Sequence, residues 1–184
     1  MVDIRYPKEL YFAGIRIQQA WTTLYLLEDI LDKDINIRRI VELGTGYGGL
    51  SLFFGLHMFE RGSVLTFDIE TKMPHHWYGL SRNLPIAFVQ QDIFCPCIDI
   101  PVSHFLSKYK ALVFCDAGEK VDRIPQIRKF AGFLKPGDLL MAHDYYNSIT
   151  PEDIIPLCEE LHLEPFRQED FDYFETYILS LVKT

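Results

Sequence analysis

The sequence predicts an α/β fold, an open and mostly parallel sheet built from successive βα units, and three observations carry that expectation. Short apolar runs recur along the chain, and four of them end in an acid: "SVLTFD", "IAFVQQD", "ALVFCD" and "DLLMAHD". Their spacing is regular, since Gly44, Asp68, Asp92 and Asp116 stand 24 residues apart and Asp144 follows 28 later. About two dozen residues hold a strand, a crossover helix and two short loops. The earliest run, "INIRRIVEL", leads into the glycine cluster "GTGYGG" and then into the helical stretch "LSLFFGLHMF". Runs of this length, bounded by turn residues, read as buried parallel strands. Their polar ends then share the carboxyl edge of the sheet, where ligands bind in open α/β folds.

The remaining elements follow in chain order. Residues 14 to 33 place Ile17, Ala20, Trp21, Leu24, Leu27 and Leu31 on one helical face, which predicts a helix packed on the sheet. It belongs to an N-terminal helical cap over residues 1–35, with the core in 36–184 and the whole chain one domain. The segment "TKMPHHWYGLSRNLP" at 71 to 85 carries His75, His76 and Trp77. Trp77 is expected to pack against the sheet, with a cover over an adenine as the alternative. Thr150, Pro151 and Glu152 mark a helix start with proline in the first turn, and Pro156 should kink or shorten that helix. The end, "YFETYILSLVKT", reads as a last strand, antiparallel to its neighbour across the turn region "FRQEDFD". His57, His104 and His162 fall in helices and are given no chemistry.

Composition narrows the function classes. With 184 residues, 48% hydrophobic and 24% charged, the chain is ordinary globular protein with enough length for a sizeable core. No apolar run approaches the ~20 residues needed to cross a bilayer, so no membrane partner is expected. The opening "MVDIRYPKEL" lacks a basic region followed by an apolar stretch, and a cytoplasmic location is the default expectation. A formal net charge of −8 disfavours nucleic acid, which needs a basic surface; "NIRRI" at 36 to 40 is too short to supply one. Of the cysteines, the pair in "CPC" at 95 to 97 lacks a second pair at zinc spacing, and Cys115 reads as a small buried hydrophobe. No redox or zinc role is assigned to them.

"VELGTGYGGL" fits the spacing G-x-G-x-x-G through Gly44, Gly46 and Gly49, which permits a dinucleotide site, a methyl-donor site or a plain turn. Gly44 allows the sharp turn, while Gly46 and Gly48 allow a ligand to approach the main chain. Glu42 separates the readings. A carboxylate beside a helix N-terminus repels a pyrophosphate, whereas a cationic sulfonium and amino group would welcome it. Asp68 suits the two hydroxyls of a ribose, with Glu70 a weaker competitor. Asp92 is placed to accept from an adenine amine or merely to cap its own turn.

Taken together, "VELGTGYGG", the acid of "LTFDIE", the acid of "FVQQD", "ALVFCDAG" and "FLKPGDLLMAHD" resemble the class I S-adenosylmethionine-dependent methyltransferases. The resemblance covers residues 37 to 146 by motif order. "CDAGEK" with "LKPGDLLMAHD" looks most like the catechol-O-methyltransferase-like, cephalosporin-hydroxylase-like and macrocin-O-methyltransferase-like groups. It implies a Rossmann-like, doubly wound seven-stranded sheet with an antiparallel last strand and helices on both faces. It also implies S-adenosylmethionine along the carboxyl edge, held by Glu42, Gly44, Thr45, Gly46, Tyr47, Gly48, Asp68, Asp92 and Asp116.

Methyl transfer from a sulfonium needs mainly in-line placement of the acceptor, with removal of its proton by a base or a metal. Asp116, His143 and Asp144, at neighbouring strand ends, form a candidate divalent-metal set. In the groups named the matching positions usually carry oxygen ligands suited to magnesium; His143 departs from that and favours manganese or another transition ion. The alternatives are that His143 is a general base near neutral pH or a structural histidine. Lys120 is a further candidate base or orienting cation, although Glu119 occupies the aligned position. Tyr145, Tyr146 and Asn147 are placed to line an acceptor pocket or to face solvent. The leading expectation is O-methylation of a small-molecule acceptor at a site that is either open or closed by a partner subunit in a homo-oligomer. An NAD-dependent oxidoreductase and a non-catalytic S-adenosylmethionine-binding protein are the competing readings.

Overall fold

The computed structural model describes residues 10–118, 122–147 and 149–184. The described chain opens on an antiparallel hairpin, β1 (Leu10–Phe12) and β2 (Ile15–Ile17), turned at Ala13 and Gly14, both with positive φ. This corrects the helix expected from residue 14. "LYFAGIRI" alternates apolar and polar side chains around a glycine turn, a strand period that the helical stripe further on had masked. Helix α1 (Trp21–Lys33) starts only at Trp21, which lies half exposed, and buries Leu24, Leu27, Ile30 and Leu31.

Beyond α1 the chain alternates strand and helix: β3 (Ile37–Leu43), α2 (Gly49–His57), β4 (Ser63–Asp68), α3 (His75–Ser81), β5 (Ile86–Gln90), α4 (Asp99–Ser107), β6 (Lys110–Cys115), α5 (Arg123–Ala131) and β7 (Leu139–His143). It closes with α6 (Pro151–Leu161), β8 (Leu163–Pro165), α7 (Gln168–Tyr173) and β9 (Ile178–Lys183). The last seven strands form one sheet in the order β5-β4-β3-β6-β7-β9-β8. All neighbours from β5 to β7 are parallel, and β9 is antiparallel to both β7 and β8. The four acid-tipped runs thus lie on β4, β5, β6 and β7 or just past them.

Burial explains why these strands read as unbroken apolar runs. Val41, Val113, Leu140 and Leu181 face a core shared with α4, α5 and α6. Their neighbours Ile40, Leu112, Leu139 and Ile178 face the other side, against α1, α2 and Phe171 of α7. Both faces of the central strands are covered, so alternation fades and most of their positions are hydrophobic. The expected doubly wound architecture, with helices on both faces, is the observed one.

Three further expectations need correcting. Helix α6 is not ended by Pro156, which lies inside it on its exposed side, and continues to Leu161. Its start is as expected, with Thr150 and Asp153 forming a reciprocal cap ahead of Pro151. The region "FRQEDFD" is not a simple turn, because Gln168–Tyr173 forms α7, and β9 begins only at Ile178. Cys95 and Cys97, given no role above, are joined as a disulfide across Pro96. Among the described residues no helix is long and apolar enough to cross a membrane.

Candidate functional site

The carboxyl ends of β3, β4, β6 and β7 open into a cleft of about 590 Å³, lined among others by Gly44, Gly46, Tyr47, Asp68, Asp116, His143 and Asp144. A smaller cavity of about 210 Å³ adjoins it, sharing Asp68, Ile69 and Gly118 and adding Asp92, Ile93, Phe94 and Ala117. The larger space is walled mostly by polar groups, the smaller by apolar ones. Such a pair suits a ligand with a charged end and a flat heterocyclic end.

The glycine loop is shaped by the protein as much as by any ligand. Gly44 has φ +97, and a Cβ there would meet the backbone oxygen of Asp116 at 2.5 Å, so β3 and β6 approach too closely for a side chain. Gly48, with φ +86, leaves room for Trp77, whose Nε1 donates to the Gly48 carbonyl at 2.9 Å. Trp77 is therefore buried beneath the loop rather than lying over a heterocycle, as packing predicted. On the outer side Arg16 of β2 stacks on the Tyr47 ring at 4.8 Å, tying the hairpin to the rim of the cleft.

Asp68 is aimed. Its Oδ2 accepts from the Gly46 backbone N–H at 2.9 Å and its Oδ1 from that of Glu70 at 3.1 Å, which fixes the carboxylate at the junction of the two cavities. Asp92 lines the smaller cavity, and its Oδ1 accepts from the Phe94 N–H at 2.8 Å, which is the turn cap expected as its alternative role. Ile69 and Phe94, with 63% and 40% of their surfaces exposed, flank this cavity. Sequence reading passed over them because an exposed apolar residue leaves no periodic signature.

Glu42 and Thr45 turn away from the cleft. The Thr45 hydroxyl pairs with that of Thr66 at 2.7 Å. Glu42 is fully buried and accepts from the hydroxyls of Ser51 and Thr66. Burial pushes its carboxyl up to about 8, against the opposing pull of those two hydrogen bonds. At neutral pH it is mostly neutral, so the charge argument that rested on Glu42 passes to Asp68 and Asp116, which do line the cleft.

At the far end Asp116, His143 and Asp144 converge, with one donor atom from each lying within 4.8 Å of the others. Asp144 adopts φ +71, a left-handed conformation that aspartate tolerates and that turns its carboxylate back toward β6. His143 Nδ1 lies 3.4 Å from carboxylate oxygens of both Asp116 and Asp144. Burial alone would lower its pKa; the hydrogen bonds and charges of the two acids outweigh it and raise the imidazole to about 9. His143 in return helps hold Asp144 down at about 2. In that protonated form the imidazole orients or donates, and it takes up a proton only once it has lost its own.

Two residues unseen in the sequence complete the cluster. Arg123, at the start of α5 and 4% exposed at its side chain, places Nη2 2.8 Å from Asp116 Oδ1 and 3.0 Å from Asp144 Oδ2. Its Nη1 donates to the Ala117 carbonyl. Gln19, from the stretch between β2 and α1, donates to Asp116 Oδ2 at 2.8 Å. As arranged, this donor set does not fit a magnesium ion, since a guanidinium bridges the two carboxylates and the third donor is an imidazole. Lys120 and Glu119 lie outside the described residues. Tyr145 is buried in the core and Tyr146 reaches Asp172 at 3.4 Å, so neither tyrosine lines the cleft.

No family model matches the chain, and no curated protein is similar to it in sequence. Solved structures are similar in fold. CmcI in its D160 form with Mg-SAM matches at a TM-score of 0.65 and 18% identity, over 95% of this chain and 76% of that one. Cofactor-bound Rv0187 from MTB matches at 0.58 and 15%, over 88% and 78%. A Klebsiella pneumoniae protein described as a proposed O-methyltransferase matches at 0.52 and 14%, over 89% and 79%. The chain has the Rossmann-like α/β fold that these proteins share, the fold of the class I methyltransferases that its motifs resemble.

Proposed function

We propose that the chain is an S-adenosylmethionine-dependent methyltransferase acting on an oxygen of a small molecule. The observation that carries this reading is the paired cavity at the carboxyl edge, with Asp68 fixed at its junction. The ribose hydroxyls would meet Asp68, and the adenine would lie between Ile69 and the Ile93–Phe94 turn. The cationic methionine end would extend past Gly44 and Gly46 toward Asp116. Transfer forms the acceptor oxygen–methyl bond as the sulfur–methyl bond breaks, and the acceptor's proton passes to a cleft carboxylate or to solvent, so placement of the acceptor beside His143 and Asp144 is the main catalytic demand. Relatives in fold carry SAM or SAH in their descriptions, which supports the choice of donor.

Sheet topology supports it against a nicotinamide cofactor. The dinucleotide-binding order ends with its fifth and sixth strands side by side, whereas here an antiparallel β9 comes between β7 and β8. Isothermal calorimetry with S-adenosylhomocysteine and with NADH tests the reading. Saturable binding of S-adenosylhomocysteine at one site per chain is expected, and binding of NADH alone would overturn it. A non-catalytic binding protein would bind the donor yet leave it unconsumed with every oxygen acceptor offered. Cytoplasmic location, a small-molecule acceptor and a homo-oligomer that closes the open cleft belong to the same proposal.

A further inference from the structure

We propose that the Arg123 guanidinium is the resident cation of the acceptor end, standing where a divalent ion would have to sit. The methyl transfer inferred above, on which this last step rests, then proceeds without a metal. Four observations lead here. One guanidinium nitrogen, Nη2, is shared by the two carboxylates that any metal would need, Asp116 and Asp144. The guanidinium is locked from behind by the Ala117 carbonyl, which Gln126 Nε2 also holds at 2.5 Å. The second oxygen of Asp116 is already taken by Gln19. Finally, Arg123 lies in the first turn of α5, where the positive end of the helix dipole disfavours a cation unless anions compensate it.

A dication entering this cluster would meet a charge that cannot be titrated away, because a guanidinium stays protonated in proteins. Left in place, Arg123 repels the ion at contact range. Displaced, it gives up hydrogen bonds to Asp116, Asp144 and Ala117 and carries a buried charge to a new position. Neither path finds a compensating set of oxygen donors among the described residues, where the third member of the cluster is His143. The guanidinium meanwhile does what a metal would do for the architecture: it draws the ends of β6 and β7 together and neutralises their acids. Through Nη2 it does so with no dependence on ion supply, while Nη1 holds the Ala117 carbonyl.

Manganese titration followed by electron paramagnetic resonance, on the full chain with and without S-adenosylhomocysteine, decides the matter. Wild-type protein should take up no stoichiometric ion, and its affinity for S-adenosylhomocysteine should be the same with manganese as with EDTA. Arg123→Ala removes the guanidinium from both carboxylates and should bind manganese at least about tenfold more tightly than wild type, with a rise in melting temperature that wild type lacks. Arg123→Met, closer in volume, serves if the alanine variant fails to fold. One ion per wild-type chain, abolished by Asp144→Ala, would overturn the proposal. So would a folded Arg123 variant that gains no manganese. Failure of the donor reading shows separately, as absence of S-adenosylhomocysteine binding in every sample, and leaves the manganese result readable.

Discussion

Side chains in this cleft are set by what lies behind them, and single substitutions can show it. Gly48→Ala would put a methyl group 2.2 Å from Trp77 Nε1 on a backbone at φ +86. Overpacking and left-handed strain together should cost about 1–3 kcal/mol, read as a lower urea midpoint with altered tryptophan emission. An unchanged midpoint would mean that Trp77 does not hold the loop. Glu42 makes a pH-dependent case. Below the ordinary glutamate pKa of about 4.3, folded and unfolded chains both carry its proton and nothing is lost. As pH rises toward about 8 the unfolded chain ionises first, so stability falls across that window and levels off above it. Glu42→Gln should therefore gain little over wild type near about pH 5 and several kcal/mol, in order of magnitude, near about pH 8. Thermal melts at the two pH values check this, and an advantage that does not grow with pH would refute the neutral buried acid.

The central strands of the sheet were legible in the sequence because they are buried on both faces and lead into a glycine or an acid. "SVLTFD" is β4 to the residue, and the acids of four runs reach the cleft or its rim. The hairpin was not legible, since Ile15 and Ile17 also satisfy the helical stripe of α1, and a short strand loses to a long helix when both periods fit. Arg123 was hidden for another reason. In "VDRIPQIRKF" it resembles any solvated helix charge, and only the fold brings it between Asp116 and Asp144. One local signal was available, a cation in the first turn of a helix, where a carboxylate is the ordinary choice. Gln19 carried no signal, because its partner lies 97 residues away. The cap of α6 tests how independent the elements are: Thr150→Ala removes the hydroxyl's part of the cap with Asp153 and leaves the hydrogen bond from the Thr150 backbone N–H. It should cost about 1 kcal/mol in a denaturant melt and leave S-adenosylhomocysteine affinity unchanged, because α6 forms no wall of the cleft. Weakened ligand binding would show that α6 and the cleft are coupled.

For the whole molecule, the cleft is a seam. Its walls come from the β1–β2 hairpin side through Gln18, from β3 and β4 in the middle and from β6 and β7 beyond. A donor bound there ties together segments from residue 18 to residue 144, and it should stabilise the folded chain as a unit. A ligand at a hundredfold excess over its dissociation constant adds about 2.7 kcal/mol. For a chain of this length that is a rise in melting temperature of about 5–10 °C. S-adenosylhomocysteine should produce such a rise, and NADH should not. Asp68→Asn sharpens the test, since asparagine can still accept one of the two backbone hydrogen bonds that fix Asp68 but lacks the charge that grips two hydroxyls. Its melting temperature without ligand should stay near that of wild type, while affinity for S-adenosylhomocysteine falls by roughly ten- to a hundredfold, the worth of a charged hydrogen bond. A variant that binds as tightly as wild type would remove Asp68 from the donor site and with it the reason for placing the ribose at the junction of the two cavities.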